Sequence, residues 1–166
     1  DRIEVDLGIL VDAHQETSAA GVYAAGDAAE STDIARRSRW VNAIWPEAVD
    51  QGRIAGMNMA GRKIAYSGSL SRNVIRIFDM DVMSGGVVMP ETDSVYEVVH
   101  AHDPKQNRYR KLVFRDDKLA GFVLINDVEQ GGVMLSLIRS EASIAVPRKR
   151  LISPSFNWSM LLPRAR

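Results

Sequence analysis

The chain has 166 residues, of which 46% are hydrophobic, and its 21 basic residues balance its 21 acidic residues. This composition is typical of a globular protein with one core or two small ones, and the balanced charge implies neither a nucleic-acid nor a membrane partner. Cysteine is absent, which excludes a disulfide framework and a thiolate metal site within these residues.

No apolar run approaches the roughly 20 residues that span a bilayer, and the first residues carry no signal-peptide pattern. We therefore expect a soluble protein in the cytoplasm. Because the sequence starts without methionine and Asp1 enters a strand-like pattern at once, we also expect a fragment of a longer protein.

The first third of the chain predicts two short strands and a helix. Strands are expected over 3–12 and 21–25, joined by a polar turn. A helix is predicted over 46–60, because proline suits its first position and Gly61 follows its end. The segment 64–70, rich in Ser and Gly, is the predicted linker.

The second half predicts an antiparallel sheet covered by one helix, an α+β arrangement. The helix is expected over 128–142, with Asp127 as its cap and Gln130 completing a capping-box pattern. Asp116 and Asp117 form a predicted turn between the last two strands. The four predicted strands span 74–83, 95–102, 108–115 and 119–126.

The clearest chemical signal is a run of small residues that leads into Gly26 and Asp27. Ligands of open α/β sheets bind beyond the carboxyl ends of strands. An aspartate there can accept hydrogen bonds from sugar or ribityl hydroxyls, and a glycine lets a ligand approach the backbone. A purely structural turn is an equal alternative, since both residue types favour turns.

The start of the predicted helix, at Trp45 and Pro46, offers unpaired backbone N–H groups and the positive end of the helix dipole. An electron-rich ring oxygen, such as the O2 edge of a flavin, suits this position. Small residues recur four apart along this helix, at Ala48, Gly52, Gly56 and Ala60. They indicate either direct contact with a ligand or tight packing of the helix on a sheet, and the sequence favours neither.

The segments GILVD, TSAAGVYAAGD and IWPEAVDQGRIAGMNMAG resemble the last FAD-contacting part of the pyridine nucleotide-disulfide oxidoreductase superfamily. The branch with NADH oxidases, rubredoxin and ferredoxin reductases and the flavin part of nitrite reductase is the most similar. The resemblance implies that Asp27 binds a ribityl hydroxyl and that Ala25 and Gly26 line the ribityl chain. It also implies that the helix start at Trp45 and Pro46 offers a backbone N–H to flavin O2. FAD and NAD(P)H are the implied cofactor and co-substrate, with no catalytic or metal-binding residue in this chain.

Departures from the family limit what the chain can do alone. Neither of the family's GxGxxG turns is present, so we expect the fragment to bind flavin weakly or not at all and to be inactive. The predicted domains are a remnant of the FAD-binding α/β domain over 1–66, an α+β interface domain over 67–146 and a tail over 147–166. The family implies a homodimer through 70–145. The alternative is a non-catalytic α+β interaction or dimerisation module.

Histidines and arginines give weaker signals. His100 and His102 lie two apart in a strand and could bind a metal, but exposed strand histidines are the favoured interpretation. Three arginines fall in the loop before the helix and could steer an acidic acceptor protein or a nucleotide, although a solvated loop is favoured. They are Arg36, Arg37 and Arg39.

Two further features have structural interpretations. Gly131 and Gly132 near the start of the second helix indicate close packing or a frayed first turn. The tail contains four large apolar residues that something must cover, namely Phe156, Trp158, Met160 and Leu161. We expect the tail to dock on its own subunit or a dimer mate, with binding of a redox partner protein as the alternative.

Overall fold

The computed structural model describes residues 2–91 and 95–161. The chain divides into two compact units, one up to Ser71 and one from Arg72. Within the described residues, no helix combines the length and the apolar character that crossing a membrane requires.

The first unit contains a three-stranded sheet and one long helix. The strands lie in chain order across the sheet, the first pair parallel and the second pair antiparallel. These elements are β1 (Ile9–Leu10), β2 (Ala29–Asp33), β3 (Ser38–Trp40) and α1 (Trp45–Met59), with a 3-10 turn at Gly26–Ala28.

The strand predictions in this unit are largely wrong. Only β1 forms a regular strand within 3–12, and the segment 21–25 contributes a single bridge, from Tyr23 to Glu16. Gly21 adopts a positive φ of 77°, and the alanines that follow have a low strand propensity. The sheet is instead completed by β2 and β3, which sequence analysis placed in a loop because β2 is polar.

Helix α1 confirms the predicted helix to within one residue at each end. Its buried residues recur at helical spacing, but three of the five are polar. They are Glu47, Gln51, Ile54, Ala55 and Asn58. The core beneath α1 is therefore built partly from side-chain hydrogen bonds.

The segment predicted as a linker is an integral part of the first unit. The Tyr66 N–H donates to Ala13 O at 2.7 Å, and the Ser69 N–H donates to Thr32 O at 2.9 Å. Gly68 has a φ of 103°, and a Cβ placed on it would lie 2.8 Å from Cγ1 of Ile34. The small residues of this segment therefore permit close packing rather than flexibility, and the linker prediction is wrong.

The second unit is a five-stranded antiparallel sheet with the order β4-β5-β8-β7-β6 and a helix on one face. It confirms the predicted α+β class. Its elements are β4 (Arg72–Ile77), β5 (Met80–Gly86), β6 (Tyr96–Asp103), β7 (Arg108–Arg115), β8 (Lys118–Ile125), α2 (Gly131–Ser140), α3 (Arg148–Leu151) and a 3-10 turn at Trp158–Leu161.

The predicted strand over 74–83 is in fact two strands, so the sheet has five strands rather than four. β4 and β5 are joined by a tight turn in which Phe78 has a φ of 55°. A phenylalanine rarely adopts this conformation, which is why a turn was not predicted at this position. The predicted turn at Asp116 and Asp117 is confirmed, and Asp116 has a φ of 56°.

Helix α2 begins three residues later than predicted, and the predicted capping box is wrong. Asp127 instead binds the buried Arg110, whose Nε lies 2.9 Å from Asp127 Oδ2. The side chain of Gln130 reaches the tail, where it binds Phe156 O and the Trp158 N–H. Both polar residues therefore join α2 to distant parts of the unit.

The core of this unit lies between α2 and the sheet. A Cβ on Gly131 would overlap the sulfur of Met83, so close packing explains this glycine, whereas Gly132 faces open space. Trp158 is fully buried, and its ring meets that of Phe156 edge-on. The described part of the tail therefore docks on its own unit through Trp158, as expected, whereas Met160 remains 77% exposed instead of covered.

Candidate functional site

The predicted ligand-binding turn is anchored to helix α1. Ala25 is extended, and Gly26 then turns the chain with a φ of 74°. A Cβ placed on Gly26 would lie 3.2 Å from Cβ of Ala48, so the turn lies against the first turn of the helix. The buried N–H of Gly26 donates to Oε1 of Gln51 at 2.8 Å.

Two groups at this turn face solvent with their hydrogen-bonding capacity unused. Asp27 is exposed, and its carboxylate accepts no hydrogen bond from the described residues. Trp45 is 71% exposed, and its N–H likewise lacks an acceptor in the described part of the chain. Pro46 has no N–H, and the next two N–H groups share Ile44 O at 3.1 Å. The positive end of the α1 dipole is therefore available beside the turn.

This arrangement fits a flavin, as judged by the donors and acceptors that the structure leaves open. A free carboxylate can accept a bond from a ribityl hydroxyl, and a free helix N–H can donate to a ring oxygen. Gly26 supplies the positive φ that the turn requires and lets the turn lie against Ala48.

The stripe of small residues on α1 is exposed. A Cβ placed on Gly52 or Gly56 would find no atom within 4 Å, so tight packing of this face on the sheet is wrong within the described structure. Ala48, at the start of the stripe, lies against Gly26.

Sequence analysis missed the polar residues beneath the turn. Gln51 is 1% exposed, and its Nε2 donates to Ser31 Oγ at 3.2 Å. Glu47 is equally buried and accepts a hydrogen bond from the Tyr66 hydroxyl. The spacing of 47, 51, 54, 55 and 58 indicated one buried helix face, but it did not indicate which groups the polar members of that face bind.

The three arginines lie at a β-hairpin rather than in an open loop. Arg39 donates to Val11 O at 2.9 Å and to Glu30 O at 3.3 Å, which fixes it to the sheet. The Arg36 guanidinium stacks over the Trp40 ring at 4.1 Å. The contacts of Arg36 and Arg39 are therefore with groups of the hairpin and its sheet.

His100 and His102 are exposed on β6 and flank Tyr109, with ring centroids 6.2 and 6.3 Å from it. Among the described residues, no group of three or more His, Cys, Asp or Glu side chains could hold a metal ion. His14 lies in a turn, where its Nδ1 is 3.5 Å from Asp12 Oδ2.

Comparison with known proteins places the second unit in a family. Residues 72–142 match the model of the rubredoxin NAD+ reductase C-terminal domain. The match begins at Arg72, where the second compact unit begins.

Known proteins are similar in sequence to this chain over both of its units. The chain is 36% identical over 155 residues to the NADH-dependent phenylglyoxylate dehydrogenase subunit epsilon of Aromatoleum evansii, covering 91% of this chain and 36% of that protein. It is 27% identical to the NADH-rubredoxin oxidoreductase of Clostridium acetobutylicum, covering 82% of this chain and 33% of that protein. The chain thus spans about a third of the length of these relatives.

Solved structures share the fold. The crystal structure of the clostridial NADH:rubredoxin oxidoreductase aligns with a TM-score of 0.66 at 26% identity, covering 89% of this chain and 36% of that one. A FAD-dependent pyridine nucleotide-disulphide oxidoreductase from Desulfovibrio vulgaris aligns with a TM-score of 0.68 at 18% identity, covering 84% and 38%. These relatives confirm the sequence-based recognition of the superfamily.

Proposed function

Because residues 72–142 form a rubredoxin NAD+ reductase C-terminal domain, we propose that the chain is the C-terminal part of an FAD-dependent NAD(P)H oxidoreductase of the cytoplasm. The first unit supplies the last flavin-contacting segment, and the second unit supplies a dimerisation domain. The observation that carries the proposal is the Gly26–Asp27 turn, which is fixed beside the open N-terminus of α1.

Each residue of the turn has a distinct part in holding the cofactor. Asp27 accepts a hydrogen bond from a ribityl hydroxyl, while Ala25 and Gly26 line the ribityl chain. The N–H of Trp45 donates to the O2 edge of the ring, and Pro46 fixes the helix start without competing for an acceptor. The positive helix end stabilises the negative charge that gathers at this edge on reduction. The flavin itself supplies hydride transfer with NAD(P)H when it is bound.

The proposed partners are a second copy of the chain and a redox protein. Strand β4 lies at the edge of its sheet, and together with the turn after it exposes apolar side chains that a dimer would cover. They are Val74, Ile75, Ile77 and Phe78. The clostridial relative is named for rubredoxin, which supports a protein electron acceptor as the second partner.

The test is flavin binding by the product of the complete reading frame that contains this chain. We expect a yellow protein, and we expect Asp27→Ala to weaken FAD binding by about tenfold or more, because a charged hydrogen bond is lost. Asp50→Ala is the matched control, since Asp50 is exposed on α1 and its side chain makes no hydrogen bond or ion pair in the described structure.

A colourless protein, or equal FAD affinity for the Asp27→Ala and Asp50→Ala variants, would contradict the proposal. A colourless protein that still dimerises would favour the alternative, a non-catalytic interaction module.

A further inference from the structure

We infer that Gln51 is a positioning residue for the flavin site: its side-chain amide sets the Gly26–Asp27 turn against the N-terminus of α1. The inference rests on the proposed function, because it concerns how this chain prepares the groups that would hold the flavin. Gln51 would act through the turn, without touching the cofactor.

The amide of Gln51 joins three separate elements. Its Oε1 accepts the Gly26 N–H at 2.8 Å, and its Nε2 donates to Ser31 Oγ at 3.2 Å. Gln51 itself belongs to α1, Gly26 to the 3-10 turn and Ser31 to β2. Since all three residues are buried, neither bond is exchanged readily for a bond to water.

The turn has one internal hydrogen bond, from the Ala29 N–H to Gly26 O, and packs on Ala48, but the Gln51 amide is what hydrogen-bonds it to α1 in the described structure. Ala25 precedes the turn and provides no side-chain cap. Gly26 adopts a left-handed conformation, and its N–H is buried, so loss of the Gln51 acceptor would leave a buried donor unpaired. The turn would then move to reach water or another acceptor.

Movement of the turn would alter the site directly. Asp27 follows Gly26 in the chain, so its carboxylate moves with the turn, whereas the Trp45 N–H stays with α1. A rigid ligand that binds both groups requires a fixed distance between them, so a change in this distance would weaken its binding. Gln51 therefore affects ligand binding more than its contribution to folding alone would predict.

Asn58 provides a matched control on the same helix face. It is also a buried amide that bridges backbone groups, donating from Nδ2 to His14 O at 2.8 Å and to Ile64 O at 2.9 Å. It lies seven residues further along α1, about 10 Å away along the helix axis. If the role of Gln51 were purely structural, replacing Gln51 or Asn58 would have the same effect on FAD binding.

The experiment measures FAD dissociation constants and melting temperatures of the complete flavoprotein with Gln51→Leu or Asn58→Leu. We expect both variants to melt at a lower temperature, but only Gln51→Leu to raise the FAD dissociation constant, by about tenfold. The visible circular dichroism of the bound flavin should also change only in Gln51→Leu. The variant Gln51→Glu keeps an acceptor for Gly26 and should restore most of the affinity.

Equal losses of affinity in Gln51→Leu and Asn58→Leu, or a Gln51→Glu variant no better than Gln51→Leu, would overturn the inference. If Gln51→Leu does not fold, the Ser31→Ala variant tests the inference instead, because it removes one of the two hydrogen-bond partners of the Gln51 amide. It should raise the dissociation constant a few-fold, and an unchanged value would also overturn the inference.

These outcomes are distinct from failure of the proposed function. If the unaltered protein binds no FAD, the proposed function fails. If it binds FAD and Asp27→Ala weakens binding while Gln51→Leu does not, only the role of Gln51 is wrong.

Discussion

At the scale of single residues, Asp12 makes the stability of a local turn depend on pH. Its Oδ1 accepts the backbone N–H groups of His14 at 2.7 Å and Glu16 at 3.0 Å. Partial burial acts to raise the pKa of Asp12, but these hydrogen bonds prevail and hold it below its ordinary value. A lowered pKa means that the ionised form stabilises the fold above the ordinary pKa, and that this contribution is lost as the pH falls through the lowered value.

We therefore predict that Asp12→Asn lowers the free energy of unfolding by about 0.5–1 kcal/mol at pH 7, a modest value because the carboxylate is half exposed. The difference from the unaltered chain should vanish at acid pH. Urea denaturation followed by tryptophan fluorescence at several pH values measures both effects.

Asp6→Asn is the control for this prediction. The Asp6 carboxylate is exposed and makes no hydrogen bond among the described residues, so its loss should change stability little at any pH. A stability difference for Asp12→Asn that persists unchanged into acid would show that its charge does not matter.

At the scale of elements, the C-terminal 3-10 turn is held by the fully buried Trp158. We predict that Trp158→Ala destabilises the second unit by about 3–5 kcal/mol, because it leaves a large cavity beside α2. Met160→Ala, in the same turn but at a side chain that is 77% exposed, should change the free energy of unfolding by less than about 0.5 kcal/mol. Equal effects of the two substitutions in chemical denaturation would mean that the tail does not contribute to the core.

Helices and strands were predictable from the sequence where their ends are marked by residues that restrict the local backbone. Pro46 and Gly61 mark the limits of α1, and the aspartates after β7 mark a hairpin, because these residues restrict the backbone by themselves. Strand β2 was missed because its residues are mostly polar and show no alternation of apolar side chains. The start of α2 was misplaced because Asp127 binds Arg110, 17 residues earlier in the chain, instead of capping the helix.

At the scale of the whole molecule, family resemblance predicted more than residue patterns did. The order of segments pointed to the superfamily and to Asp27, yet the helical spacing alone did not reveal the buried amide of Gln51. A buried polar side chain is recognisable only when its partners are known, and those partners, Gly26 and Ser31, lie 25 and 20 residues away. Motifs therefore predicted the groups that would face a ligand, but not the buried groups that hold the turn in place.

The proposed dimer belongs to this largest scale and is tested on strand β4. Ile75 is 50% exposed on an edge strand, and an edge that exposes apolar side chains is a ready site for pairing with another chain. We predict that Ile75→Lys weakens dimerisation of the complete protein by at least about tenfold, because a lysine charge would have to be buried at the interface. Sedimentation equilibrium measures the dimer dissociation constant.

The control is Met160→Lys, which places the same charge on an exposed side chain outside 70–145 and should leave the dimer unchanged. Since lysine is well tolerated on solvent-exposed edge strands, Ile75→Lys should also keep the melting temperature of an isolated subunit. A monomeric unaltered protein would refute dimerisation itself. A dimer that is insensitive to Ile75→Lys would instead move the interface away from β4, because a buried lysine could not remain without cost.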